Sequence, residues 1–248
     1  MIFLFVDKSM HTNTIFDNIQ HILSRIQRAC EYSGRHADDV KLLLATKTVS
    51  PERIKLALAS GCCLIGENKV QEVKEKFDAL SDAPHISHFI GHLQTNKVKD
   101  ILKYDISCIQ SVDRLSLAQK LQERLTLMDK NIDILIQVNT SQEDSKFGVA
   151  PDEALTLVQQ IATMDRLNIK GLMTIGALSD DEKTVRACFA RLRTLKEQIQ
   201  ALNLPNVVMD ELSMGMSGDL EIAISEGATI IRVGSAIFGQ RTSTLSPI

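Results

Sequence analysis

The sequence predicts an α/β fold: a single (β/α)₈ TIM barrel with an extra helix at its N-terminus. Short apolar runs with strand character occur eight times, and segments with helical periodicity separate them. The chain has 248 residues and no linker-like segment, which suits one closed barrel. A doubly wound open sheet is the structural alternative, because the order of strands cannot be read from one sequence.

The chain begins with a predicted extension and a predicted helix. Residues 1–9 carry an apolar run that is too short for a signal peptide or a membrane span and is followed by Asp7. We expect this extension to add nothing to the fold. Isoleucines at helical spacing predict an amphipathic helix over Ile15–Tyr32. The barrel domain is expected over 10–242, with a tail at 243–248.

The predicted strands are short runs rich in aliphatic and β-branched residues. They are Val40–Thr46, Cys62–Ile65, Ser87–Ile90, Ile106–Ile109, Asp133–Val138, Ile169–Met173, Val207–Leu212 and Thr229–Val233. The helices between them are predicted over 51–60, 68–80, 94–102, 113–129, 151–164, 182–202 and 218–226. No clear helix follows the eighth strand, so the N-terminal helix is expected to fill that gap in the outer ring.

Composition argues against several classes of function. The net charge of −3 and the charged fraction of 24% predict neither a nucleic-acid surface nor an acidic tail. No segment is apolar enough to cross a bilayer. The five cysteines lack C-x-x-C spacing and their number is odd, which makes a poor disulfide framework. We therefore expect a reducing, cytoplasmic compartment.

In a barrel of this class the functional residues follow the strands, at their C-terminal ends. Small or hydrogen-bonding residues dominate these positions here. They are Lys47, Asn68, His92, Asn139, Thr174, Ser213, Gly234 and Ser235. Because carboxylates are scarce among them, neither a glycosidase pair nor a metal site is predicted.

Lys47 and the glycine-rich segments at 213–219 and 234–239 predict a cofactor together. A lysine partly desolvated by a barrel mouth has a lowered pKa, and its free amine can attack an aldehyde. The loops after strands seven and eight of a barrel often hold phosphate on backbone N–H groups. The alternatives are that Lys47 is simply solvated and that the glycines only make tight turns. An amine facing a phosphate cradle is what pyridoxal phosphate requires.

Arg232 lies inside the last predicted strand, where it alternates with Ile231 and Val233. If it faces the barrel interior it needs a partner, because an unpaired buried guanidinium is costly. The pyridine nitrogen of the cofactor is one such partner. An interior salt bridge to Glu211 or Asp210 is the other.

The histidines and tyrosines do not add a second chemistry. His85, His88 and His92 invite a zinc hypothesis, but a strand places His85 and His88 on opposite faces, so no metal is predicted. The two tyrosines are Tyr32, on the first helix, and Tyr104, at the approach to the fourth strand. Neither is expected at the barrel mouth, where a second acid or base would be needed.

Ordered blocks of sequence run from about Thr12 to Arg241. They include Ala45-Thr46-Lys47, Gly66-Glu67-Asn68-Lys69-Val70-Gln71-Glu72, Phe89-Ile90-Gly91-His92-Leu93-Gln94-Thr95-Asn96-Lys97, Lys146-Phe147-Gly148-Val149, Leu212-Ser213-Met214-Gly215-Met216-Ser217 and Arg232-Val233-Gly234-Ser235-Ala236-Ile237-Phe238-Gly239. Through these blocks the chain resembles the YggS/PROSC family of pyridoxal phosphate homeostasis proteins. Lys69 departs from the family, which commonly has a tyrosine there, and this puts any contact of that tyrosine in doubt.

The resemblance implies a barrel similar to the N-terminal domain of bacterial alanine racemase. It also implies that Lys47 holds pyridoxal phosphate as a Schiff base and that Arg232 faces the pyridine nitrogen. The implied phosphate ligands are Ser213, Gly234 and Ser235, with Asn68 nearby.

Two functions are open at this point. The first is a non-catalytic carrier or buffer of pyridoxal phosphate, a monomer whose further partners would be the apo-enzymes that receive the cofactor. The second is an amino-acid racemase. Arg232 favours the carrier, because a guanidinium does not hand a proton to the ring nitrogen and so leaves the ring a weaker electron sink. Alanine racemase has a similar arginine, but its second base is a tyrosine from a separate domain.

Overall fold

The computed structural model describes residues 8–239, and their side chains from Thr14 onward. Within these residues, eight parallel strands close into a barrel in chain order. The strands are β1 (Lys41–Ala45), β2 (Leu64–Glu67), β3 (Ile86–Phe89), β4 (Ile106–Val112), β5 (Ile132–Gln137), β6 (Leu167–Met173), β7 (Val207–Ser213) and β8 (Ile230–Val233). The predicted (β/α)₈ barrel is confirmed, and the doubly wound alternative is wrong.

Helices surround the barrel and connect its strands. They are α1 (Lys8–Tyr32), α2 (Pro51–Leu58), α3 (Val70–Leu80), α4 (Val98–Ile101), α5 (Leu115–Met128), α6 (Pro151–Ile161), α7 (Glu182–Gln200), α8 (Leu220–Ser225) and α9 (Ser235–Phe238). Pro51 and Pro151 occupy the first turns of α2 and α6, where the missing N–H costs little. The last helix, α9, is a single turn that the sequence did not predict.

Helix α1 completes the outer ring, as predicted. Its stripe of Ile15, Ile19, Ile22 and Ile26 is buried, and the helix packs against α2, α8 and α9. It begins at Lys8, inside the segment predicted as an extension. Residues 1–7 and the predicted tail lie outside the described residues, so the rest of that domain prediction stays a prediction.

Strand β2 lies two residues later than the sequence predicts. A left-handed turn at Gly61 delays it, and its pairing with β1 aligns Leu43 with Leu64 and Ala45 with Gly66. Gly66 interrupts the apolar run of this strand. Glycine is needed there because a Cβ would lie 2.6 Å from Cδ2 of Leu43. The shift matters for the site, because Glu67 becomes the buried last residue of a barrel strand.

The interior of the barrel is packed with side chains. Two small apolar clusters fill part of it, one of Leu43, Leu64 and Ile230 and one of Cys108, Leu135 and Met173. The larger core lies between the sheet and the ring of helices. None of the helices in residues 8–239 has the length and apolar character that a membrane span needs.

Candidate functional site

Closure of the barrel brings Lys47 next to the predicted phosphate residues. Lys47 is partly buried in the turn after β1, and β8 pairs with β1 so that Leu44 lies opposite Val233. Gly234 then lies against Ala45: a Cβ on Gly234 would be 2.9 Å from the carbonyl oxygen of Ala45. The predicted lysine and the predicted cradle therefore share one mouth of the barrel.

The turn that carries Lys47 is tight and strained. Thr48 has a φ of 61°, a left-handed conformation that costs a β-branched residue about 1–2 kcal/mol. Its hydroxyl donates to the carbonyl oxygen of Lys47 at 2.6 Å, and the Val49 amide donates to that of Thr46 at 3.0 Å. Such strain persists only where the surroundings over-determine it.

A buried ion pair lies beside this turn. The Lys76 ammonium donates to Oε1 of Glu67 at 2.7 Å and to the carbonyl oxygen of Thr46 at 2.8 Å, and Thr46 Oγ1 donates to the same Glu67 oxygen at 2.6 Å. Burial raises the pKa of Glu67 to about 7, with Lys76 and Thr46 opposing the shift and Glu72 adding to it. Sequence reasoning missed this pair. Its signal was a lysine at a core position of α3, between the buried Val73 and Leu80.

Arg232 points into the barrel and begins a directed chain of hydrogen bonds. Its Nη1 donates to Ser213 Oγ at 2.8 Å, Ser213 Oγ donates to Gln110 Oε1 at 2.6 Å, and Gln110 Nε2 lies 2.7 Å from His88 Nδ1. Because a guanidinium can only donate hydrogen bonds, each later group in the chain accepts one hydrogen bond and donates the next. His88 Nδ1 is therefore an acceptor, and the imidazole is neutral.

The alternative partner considered for Arg232, an interior salt bridge to Glu211 or Asp210, is not formed. Glu211 instead pairs with Lys41 and accepts a hydrogen bond from Thr229 at 2.6 Å. Asp210 is exposed. Burial lowers the pKa of Arg232 to about 10, which still leaves it charged at neutral pH.

The polar partners of Arg232 are mostly neutral. Besides Ser213, its Nη2 donates to the carbonyl oxygen of Thr174 at 2.7 Å, and the Thr174 hydroxyl pairs with Thr140 at 2.9 Å. The single hydrogen of the Ser213 hydroxyl is donated to Gln110, so a contact of Ser213 with phosphate stays a prediction.

Asn68 offers an unused acceptor near the mouth. Its Oδ1 is buried and has no partner in the described part of the chain. The next loop packs directly on its backbone, since a Cβ on Gly91 would lie 1.9 Å from the Asn68 carbonyl oxygen. A buried acceptor without a donor is the kind of group that a ligand satisfies.

Lys69 lies at the edge of the site. It is exposed and lines a groove of about 580 Å³ between α3 and α4, together with Asn68, Lys74, Lys97 and other residues. Of the predicted cofactor-binding residues, Asn68 alone is among those that line this groove.

The three clustered histidines have separate partners. His88 belongs to the Arg232 chain, His85 Nδ1 lies 2.6 Å from the Ala83 carbonyl oxygen, and the His92 ring stacks on Phe147 at 3.9 Å. Residues 8–239 contain no group of three or more side chains suited to hold a metal ion. The absence of a metal stays a prediction.

Neither tyrosine lies in the mouth. Tyr32 ends α1 and is 92% exposed. Tyr104 precedes β4, at the opposite end of the barrel from Lys47, and its ring packs at 5.1 Å from that of Phe77.

Comparison with known sequences places the chain in a family. The family described as alanine racemase, N-terminal domain, matches residues 17–242. A pyridoxal phosphate homeostasis protein of Aquifex aeolicus is 42% identical over 225 residues, which cover 91% of this chain and 97% of that protein. The chain belongs to the pyridoxal phosphate homeostasis protein family. A second member, from Pasteurella multocida, is 40% identical over 230 residues, with 92% of this chain and 98% of that protein covered.

Solved structures agree with this membership. PipY of Synechococcus elongatus, with pyridoxal phosphate bound, has a TM-score of 0.79 and 30% identity, and covers 91% of this chain and 100% of its own. A protein of Bifidobacterium adolescentis described as unknown has a TM-score of 0.88 and 39% identity, covering 94% of this chain and 97% of its own. Alanine racemase of Clostridium difficile has a TM-score of 0.72 at 16% identity, with 92% and 57% covered, which shows the fold alone.

Proposed function

We propose that this chain binds pyridoxal 5′-phosphate in the barrel mouth, holds it covalently through the Lys47 amine, and serves pyridoxal phosphate homeostasis as a non-catalytic carrier or buffer. The observation that carries the proposal is the juxtaposition of Lys47 with Gly234 where β1 pairs with β8. Relatives named as homeostasis proteins, and a relative solved with the cofactor, support it.

The residues of the mouth fit this cofactor. When bound, it supplies an aldehyde for an amine and a phosphate for a cradle. Lys47 is half-buried and carries the amine, and the Asn68 amide, whose Oδ1 has no partner in the described structure, can present its NH₂ to a phosphate oxygen when it is turned over. Gly234 leaves the mouth free of a side chain, and the first N–H groups of α9, from Ser235, have no acceptor within their own helix.

Arg232 favours holding the cofactor over using it in catalysis. Its guanidinium can donate a hydrogen bond to the ring nitrogen but does not transfer its proton, because it stays charged in the barrel. The neutral chain from Ser213 through Gln110 to His88 holds the guanidinium in place. An enzyme would also need a second acid or base, and neither Tyr32 nor Tyr104 lies at the mouth.

Covalent attachment at Lys47 is testable with purified protein. We expect a yellow protein in which borohydride fixes the cofactor on the peptide that contains Lys47, as read by mass spectrometry. Lys47→Ala should abolish both the absorbance and the modified peptide, whereas Lys97→Ala, an exposed lysine of the neighbouring groove, should change neither. Unchanged absorbance in Lys47→Ala would refute the assignment.

Carrier and racemase are separated by turnover. We expect holo-protein incubated with L- or D-amino acids to show no sustained change of stereochemistry, because neither Tyr32 nor Tyr104 lies at the mouth to act as the second base. Chiral chromatography of the amino acid, with free cofactor followed by absorbance, measures this. Sustained racemisation would overturn the carrier function.

The proposal has consequences beyond the site. It implies apo-enzymes as recipients of the cofactor, and we further propose a cytoplasmic monomer built on one barrel domain over 10–242. Transfer of cofactor to an apo-enzyme, measured as gained activity, tests the first. Light scattering of the purified protein tests the monomer.

A further inference from the structure

The buried ion pair of Glu67 and Lys76 has no part in the cofactor contacts described above. Both side chains are at least nine-tenths buried, and burying a charged pair is costly unless its geometry is good and further hydrogen bonds complete it. Replacement of a buried ion pair by apolar residues of similar volume is often neutral or stabilising. The position of the pair therefore calls for a reason other than stability.

The pair is aimed at the peptide that joins Thr46 to Lys47. The Lys76 ammonium donates to the carbonyl oxygen of that peptide at 2.8 Å, and Glu67 receives the Thr46 hydroxyl at 2.6 Å. The Thr46 amide is also fixed, since it donates to the Gly66 carbonyl oxygen at 3.0 Å. Every polar group of Thr46 is thus held from β2 or α3.

Clamping at this point compensates for the strain on the other side of Lys47. Thr48, the next residue, has a φ of 61°, and its hydroxyl bonds back to the Lys47 carbonyl oxygen. Lys47 lies between Thr46, which is fully buried, and Thr48, whose backbone is in the left-handed conformation. The direction of the main chain at Lys47 is therefore fixed on both sides. Such strain persists only where the surrounding structure holds it.

The local charges show that the arrangement is specific. Oε2 of Glu67 is buried without a hydrogen-bond partner in the described structure, and so is Oε2 of Glu72. Glu72 lies close enough to raise the pKa of Glu67, whereas Lys76 lowers it. Loss of Lys76 would leave the Glu67 carboxylate buried without its cation.

We propose that Glu67 and Lys76 are positioning residues that fix Thr46 and so aim the Lys47 amine into the barrel mouth. The inference rests on the proposed function only in taking Lys47 as the residue that attacks the cofactor. The pair does not touch the reacting atoms. It acts through the main chain of Thr46 and Lys47.

The test compares two buried Glu→Gln variants of the full chain. Glu67→Gln keeps the shape of the side chain but removes its charge. Glu226→Gln is the matched control, since Glu226 is also buried and pairs with Arg186 at 2.9 Å and Arg193 at 2.6 Å, at the end of α8. Lys76→Met is a second variant at the clamp.

Two readouts follow each variant. The first is trace acetylation of the apo-protein by acetic anhydride across a pH series, with Lys47 read against the exposed Lys97 by mass spectrometry. The second is the rate at which pyridoxal phosphate absorbance appears. We expect Glu67→Gln to shift the acetylation midpoint of Lys47 and to slow attachment about tenfold or more, because a misplacement of about 1 Å can cost up to about 100-fold. Glu226→Gln should leave both as in the wild type.

An unchanged Lys47 profile in folded Glu67→Gln would overturn the inference, as would an equal shift in Glu226→Gln. If Lys76→Met does not fold, Glu67→Gln alone decides, because it removes no atoms from the core. Failure of the proposed function gives a different result. Wild-type Lys47 would then take no cofactor, while its acetylation would still depend on Glu67.

Discussion

Two threonines and a glycine shape the site more than the residues that would touch the cofactor. Thr46 is fully buried and bonded through its amide, carbonyl and hydroxyl, and Thr48 turns the chain sharply after Lys47. Gly234 allows β8 to approach the carbonyl oxygen of Ala45. At the scale of single residues, the reactive amine is therefore placed by its main chain.

Gly234 offers a direct test at this scale. In Gly234→Ala the new Cβ would lie 2.9 Å from a backbone oxygen, so the β1–β8 seam must shift. We expect the affinity for pyridoxal phosphate, measured by absorbance titration, to fall about tenfold or more. Overpacking of this kind costs about 1–3 kcal/mol, which should also lower the melting temperature.

Gly218→Ala is the control for that substitution. Gly218 also belongs to the predicted cradle, but no atom lies within 4 Å of a Cβ built there. We expect near-normal affinity and melting temperature. Equal losses in the two variants would mean that the seam at Gly234 has no special role.

At the scale of elements, the sequence predicted strands and helices well because each has a clear period. The predicted strand ends were also close enough to the observed ones to identify Lys47, Asn68 and Gly234 as residues that follow a strand. Strand β2 was misplaced because Gly66 interrupts its apolar run, and the interruption exists to accommodate Leu43 of the neighbouring strand. A constraint imposed by another strand has no local signature in the sequence.

The ion pair and the Arg232 chain were missed for a related reason. Lys76 occupies a core position of α3. A reading of the helix from its pattern of residue types places a lysine on the solvent face. Ser213, Gln110 and His88 come from β7, β4 and β3, and only barrel closure brings them onto one line with Arg232. The sequence correctly predicts that a buried Arg232 needs a hydrogen-bond partner, but it does not indicate that Ser213 and the carbonyl oxygen of Thr174 are the partners.

At the scale of the whole molecule, the polar chain makes the stability of the barrel depend on pH. Burial lowers the pKa of His88 from 6.5 to about 4. Glu211 and Asp133 oppose that shift and Lys41 adds to it. Protonation would also put an N–H where His88 now accepts from Gln110, so the bonds that lead to Arg232 would have to rearrange.

The sign of this dependence follows from the two states. The unfolded chain binds a proton at His88 near pH 6.5 and the folded chain only near pH 4, so the stabilisation is complete above about 6.5 and is lost as the pH falls to about 4. A difference of this size corresponds to about 3 kcal/mol. Glu67 acts in the opposite sense, because its raised pKa favours the folded state at low pH. The two contributions must therefore be separated by mutation.

His88→Gln should flatten the pH dependence. We expect the free energy of unfolding, measured by denaturant titration, to fall less between pH 6.5 and pH 4 in this variant than in the wild type, by up to about 3 kcal/mol. His21→Gln, at an exposed position of α1, should retain the wild-type slope. An identical slope in wild type and His88→Gln would show that the imidazole titrates alike in the folded and unfolded chains. The hydrogen-bonded chain from Arg232 would then not depend on a neutral His88.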